Sequence, residues 1–228
     1  MNVLVVAAHP DDEVLGCGGA IAKHAAKGDD VYTVIMAEGL TSRDEVRDRQ
    51  SHQSGLSDLA NAAQEAGQIL GARSVQLFDY PDNRMDRCDL LDIVKTVEQV
   101  IDTYEPELVY THYPKDLNID HQYVARAVIT ATRPIPTSTV QTILFYEVMS
   151  STEWQFDASM SGFSPNWFVD ISEVVHLKLK ALEAYCSEMR DWPHSRSIQT
   201  LEYLARLRGS SVGVDAAEAF MLARQLIQ

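Results

Sequence analysis

The feature that most narrows the fold is a unit repeated along the chain: a short unbroken apolar run, a polar cluster directly after it, then apolar residues at helical spacing. Unbroken apolar runs suit strands covered on both faces, as in the middle of a parallel sheet. Val3-Leu4-Val5-Val6-Ala7-Ala8 is the first such run, followed by a predicted helix over 14–26 that Gly28 stops. Further strands are expected over 31–37, 75–80, 107–112 and 140–148, with a short one over 167–169. Helices are expected over 59–70 and 90–104 and from Asp120 through Val128. This alternation implies right-handed βαβ crossovers and an α/β fold with a mostly parallel, doubly wound sheet of about five to six strands flanked by helices. Beyond Asp170 three helices are expected, over 174–189, 198–208 and 216–227. Residues 1–228 then make a single domain with a helical C-terminal segment, a size that buries one sizeable core.

Polar residues gather where the apolar runs end, and open α/β sheets hold their ligands at the carboxyl ends of strands. The first run leads into His9-Pro10-Asp11-Asp12-Glu13, and Glu107-Leu108-Val109-Tyr110-Thr111-His112 leads towards Asn118, Asp120 and His121. Asp11 and Asp12 also suit a helix start, as caps and as partners of the helix dipole. Capping needs no imidazole, however, and Pro10 stiffens the turn that aims His9 at its neighbours. In a doubly wound sheet the fourth strand lies beside the first, which brings His112 and His121 towards His9. Gly16-Cys17-Gly18-Gly19 lacks the spacing of a dinucleotide loop and is read as close helix packing, with Cys17 a small packed residue. The same missing fingerprint argues against Glu38 as a ribose-binding acid. Asp44 to Gln53 is expected as a solvated, lid-like stretch, and the Ser-, Trp- and Phe-containing loop before Trp167 as a pocket border.

Charge and cysteine content exclude several classes. Thirty-three acidic against nineteen basic residues give a net charge of -14, which repels phosphate backbones and anionic lipid, so neither a nucleic-acid partner nor membrane insertion is expected. Cys17, Cys88 and Cys186 form no C-x-x-C pair and fit a reducing cytoplasm. The oligomeric state, a homo-oligomer included, is left open.

His9, His121 and a neighbouring carboxylate such as Asp12 make the ligand set of a catalytic zinc site, which keeps a position open for water. Asp11 then serves as base, and Asp120 as the group that orients an imidazole. The residues alone leave open which of Asp11 and Asp12 binds metal. No G-x-S-x-G elbow suggests a serine nucleophile.

Ala8-His9-Pro10-Asp11-Asp12-Glu13, Pro81-Asp82-Asn83-Arg84 and Asp120-His121 together resemble the LmbE-like, or PIG-L, family of zinc-dependent N-deacetylases. The resemblance implies a Rossmann-like sheet and removal of an acetyl group from an N-acetylamino sugar or sugar conjugate, a small-molecule substrate such as an N-acetylglucosaminyl conjugate. It implies His9, Asp12 and His121 as ligands to zinc or another divalent transition metal, Asp11 as general base, and Asp82 as a sugar contact. Two departures stand out. Asn118 replaces the first histidine of the family's H-P-D-H, which leaves Asn118 or His112 to polarise the carbonyl. Ala60 stands near where many members have a substrate-binding arginine, with Arg84 and Arg196 the candidates to replace it. Those departures keep two alternatives alive: a non-catalytic metal- or sugar-binding member of the fold, and a metallohydrolase for another amide or ester.

Overall fold

The computed structural model describes residues 1–157 and 162–227. Residues 158–161, part of the expected pocket border, lie outside them. In chain order the elements are β1 (Asn2–Ala7), α1 (Asp12–Ala26), β2 (Asp30–Ala37), α2 (Gln53–Leu70), β3 (Ser74–Tyr80), α3 (Leu90–Tyr104), β4 (Leu108–His112), α4 (Ile119–Ala131) and β5 (Thr142–Tyr146). β6 (Trp167–Asp170), α5 (Val175–Ala184), α6 (Ile198–Ser210) and β7 (Ala217–Gln225) follow. The strands form one seven-stranded sheet in the order β3-β2-β1-β4-β5-β7-β6. The first five are parallel, as the βαβ alternation predicts, and β7 runs antiparallel to β5 and β6.

Two apolar cores cover the two faces. One joins α1, α2, α5 and α6 to Val3, Val5, Val31, Ile35, Leu144 and Phe220, and the other joins α3 and α4 to Leu4, Val6, Val34, Met36, Val109 and Phe145. Alternate residues of one strand therefore feed opposite cores, the period-two consequence of the pleat. Strand order reverses at β1, which pairs with β2 on one side and β4 on the other. Open α/β sheets hold ligands in the crevice beyond the carboxyl ends of the strands at such a switch point, here β1 and β4.

The stretch expected as the last helix is instead β7. Ala-Glu-Ala-Phe-Met-Leu-Ala-Arg has good helix formers, but tertiary context overrides propensity. Phe220 and Leu222 pack into one core and Met221 against the other. Glu218, buried at 4% exposure, puts a charged residue on the same side of the strand as Phe220 and Leu222 and so hides the strand pattern. Elsewhere α2 starts earlier than expected, at Gln53, and α5 ends earlier, at Ala184. Most of 44–52 is exposed loop, as its charge implies. Among the described residues no helix is long and apolar enough to cross a membrane.

Candidate metal centre

The crevice at the switch point holds the residues expected there. His9 follows β1, Asp12 is the first residue of α1, and His121 lies in the first turn of α4. Their ligand atoms lie within 4.8 Å of one another, and all three residues are buried. Asp12 Oδ2 lies 3.2 Å from His9 Nδ1 and 3.2 Å from His121 Nε2, and accepts a 2.8 Å hydrogen bond from the His9 backbone N–H. Asp12 Oδ1 is buried with no hydrogen-bond partner. Burying a carboxylate oxygen without a partner is costly. A cation among the three groups removes that cost, so the donor set fits a divalent metal.

The charges point the same way. Burial opposes ionisation of Asp12, but His121 and His9 hold its carboxyl well below the ordinary range. Burial also opposes charge on His121, yet Asp12 and Asp116 push its pKa up to about 9. A proton in the metal-free protein thus sits where a metal would neutralise the same carboxylates.

Asp11 precedes Asp12 and has φ 102°, a strained conformation for a non-glycine residue. Its N–H donates to Glu13 Oε2 at 3.1 Å, and its carbonyl accepts from Val14 and Leu15 at 3.0 and 2.8 Å. Strain and clamp together set the side chain apart from the helix: both carboxylate oxygens are buried without a hydrogen bond. Arg196 Nη1 lies 3.1 Å from Oδ2 as an ion pair. Burial raises the Asp11 pKa well above normal, with Arg196 opposing it. Arg196, expected to touch substrate, is thus bound to Asp11, and its Nε donates to Ser150 Oγ at 2.7 Å.

Other expected residues take different places. Asp120, expected to orient an imidazole, has its Oδ2 3.1 Å from Nε2 of His9, not of the adjacent His121. Backbone N–H groups of Asn83 and Met85 hold Asp120 at 2.7 and 2.9 Å. Asp82, expected as a sugar contact, is 2% exposed and faces the same His9 Nε2 at 3.3 Å. Arg84 lies away from the ligands and donates to the Asp44 and Glu45 carbonyls at 2.7 and 3.1 Å, pinning the loop after β2.

The two candidates for polarising a carbonyl are both engaged with neighbouring backbone, and the Nδ1 of buried His112 has no hydrogen-bond partner. Asn118 caps α4, its Oδ1 accepting from the Asp120 N–H at 2.9 Å while its Nδ2 donates to Asn83 at 2.8 Å. His112 is fully buried, and its Nε2 accepts from the Ala8 N–H at 2.8 Å, which requires an uncharged ring. Burial, seconded by His121, holds its pKa well below normal. The ring stacks on His121 of α4 at 3.9 Å, while its bond to the Ala8 N–H ties β4 to the end of β1.

Asp116 is the residue that sequence reasoning missed. Fully buried, it lies 3.3 Å from His121 Nδ1 and accepts from the hydroxyls of Ser151 and Thr152 and from the Asn118 N–H. A carboxylate behind a ligating imidazole fixes its tautomer and orientation. The local signal is slight, because Pro114-Lys115-Asp116 has the composition of an ordinary turn.

A doubly wound sheet with two histidines and a carboxylate at its switch point that could hold a metal, next in sequence to a carboxylate paired with an arginine, defines the class of this α/β protein. Within that class, residues 4–132 match the GlcNAc-PI de-N-acetylase family, PIG-L, and the chain belongs to this deacetylase family. It is 30% identical over 192 residues to an uncharacterised deacetylase, YaiS, of Escherichia coli strain K12, covering 82% of this chain and 91% of that protein. It is 27% identical over 238 residues to a 4-oxalmesaconate hydratase of Pseudomonas putida, covering 99% and 88%. Its fold is similar to that of an N,N'-diacetylchitobiose deacetylase from Pyrococcus horikoshii, with a TM-score of 0.78 at 22% identity over 98% of this chain and 84% of the other.

Proposed function

We propose that this protein is a zinc-dependent hydrolase that removes the acetyl group from an N-acetylamino sugar or a sugar conjugate. The observation that carries the reading is the buried triad of His9, Asp12 and His121 with the unbonded carboxylate of Asp11 beside it. Two imidazoles and one carboxylate suit zinc and leave a coordination position open. When bound, the metal supplies Lewis acidity to water and to the acyl oxygen.

The protein's own groups do the rest. Asp11 takes the proton of the attacking water and returns it to the leaving nitrogen. Arg196 favours the charged form of Asp11 against a burial that raises its pKa. Asp116 and Asp120 hold the two imidazoles in orientation. No group forms a covalent bond to substrate in this scheme.

Metal analysis of the purified protein and acetate release across a panel of N-acetyl sugars, disaccharides and conjugates test it. Stoichiometric metal and acetate release support the reading, whereas protein that holds no metal and releases no acetate removes it. A second reading is hydration of an unsaturated acid. It is favoured by the near full-length match to the hydratase. The same crevice, offered an unsaturated dicarboxylate, then consumes the double bond and releases no acetate.

A further inference from the structure

Helix α1 is broken at Cys17, whose φ of −145° and ψ of 24° are not helical. A break orphans backbone groups on both sides, N–H groups after it and carbonyls before it. Glu218 of β7 accepts from the N–H groups of Gly19 and Ala20 at 2.8 and 2.7 Å. Lys178 of α5 donates to the Leu15 carbonyl at 2.9 Å and to Glu218 Oε1 at 2.6 Å. Both side chains are buried, so this ion pair is spliced into the helix where its own ladder fails.

Packing shows what the break accommodates. A Cβ at Gly16 would lie 2.2 Å from the ring of Tyr146, and one at Gly19 would lie 2.7 Å from Ile171. The segment before the break, Asp12 to Gly16, carries a metal ligand and is continuous with Asp11. α5 and the residue that follows it grip this segment twice: Lys178 holds the Leu15 carbonyl, and Tyr185, just past the end of α5, donates to Glu13 Oε1 at 2.6 Å. Glu13 in turn holds the Asp11 N–H.

We infer that the Lys178–Glu218 pair is a positioning element for the metal half-site, fixing the break in α1 and hence the placement of Asp11 and Asp12. The inference rests on the metal reading proposed above. Neither residue touches the ligands. Buried ion pairs are poor stabilisers and can often be replaced by neutral groups without loss, so stability alone is a weak reason for this one.

The test compares Glu218→Gln, Lys178→Met and the double variant with the natural chain. Zinc affinity is read by competition with a chelator, and the ring-nitrogen resonances of His121 are read on metal-free protein. The positioning role predicts about ten- to a hundred-fold weaker zinc binding in Glu218→Gln, the range found for groups that orient metal ligands. It also predicts displaced His121 resonances, because that ring pairs with Asp12 at 3.2 Å. In the double variant the unfolding midpoint recovers while zinc affinity does not. A purely structural pair moves the midpoint and leaves the zinc affinity of the folded protein unchanged. Folded variants with natural affinity and natural resonances, or a double variant with natural affinity, overturn the proposal. If the natural chain binds no zinc, the metal reading fails while the resonances still decide the positioning role.

Discussion

The elements from β1 through α4 and those from β5 through β7 contribute to the crevice in opposite ways. His9, Asp11, Asp12, Asp82, Asp116, Asp120 and His121 all come from the first group, at or just beyond strand ends. The second group supplies no member of the triad, yet it reaches the site at several points: Ser151 and Thr152 on Asp116, Arg196 on Asp11, Tyr185 on Glu13, and Lys178 with Glu218 inside α1. One region thus provides donor atoms, and the other restrains the backbone and side chains that carry them. Chemistry and rigidity have separate sources in this chain, so substitutions in the two regions are expected to fail differently.

The largest effects belong to the donors. Asp12→Ala or His121→Ala is expected to take metal content from stoichiometric to undetectable with the fold retained; full metal content in either variant would show that the triad is not the site. Asp11→Asn is next, keeping its metal while turnover falls by about 10²–10⁴-fold, the usual span for a lost general base. Metal analysis paired with rate measurement separates those two outcomes. Asp116→Asn blurs the division, since its carboxylate is held from the second group. It should weaken metal binding about ten- to a hundred-fold without abolishing it, and chelator competition reads the change.

The smallest expected effect is one of pH. His121 in the folded metal-free protein titrates at about 9 against an ordinary 6.5. Its pairing with Asp12 and Asp116 therefore stabilises the fold fully below pH 6.5 and is lost as pH rises through about 9. Thermal unfolding of metal-free protein should show a falling midpoint across that window. Metal affinity should rise over the same window, because binding must displace the proton. A midpoint that is flat in metal-free protein would mean that the His121 pairing is not formed in solution.

How much of this was legible followed the same division. The central parallel strands β1, β2 and β4 announce themselves as buried apolar runs, and His9 and Asp12 directly follow one of them, where residue type and position agree. Asp120 was readable as an orienting carboxylate, but its target was not, because sequence adjacency to His121 says nothing about which imidazole it faces. Asp116 has no local mark, and its partners Ser151 and Thr152 come from beyond β5. β7 was misread as helix because Glu218 occupies a buried position that a strand pattern reserves for an apolar side chain. The residue that spoils the pattern is the one that mends the break in α1.

That mending has a consequence in time. Chains are made from the amino end, and the early parts begin to fold before the late ones exist. Glu218 lies 199 residues after Gly19, so a growing chain displays His9 and Asp12, and later His121, before it owns the carboxylate that closes the gap in α1. The N-terminal motif is written first and held last.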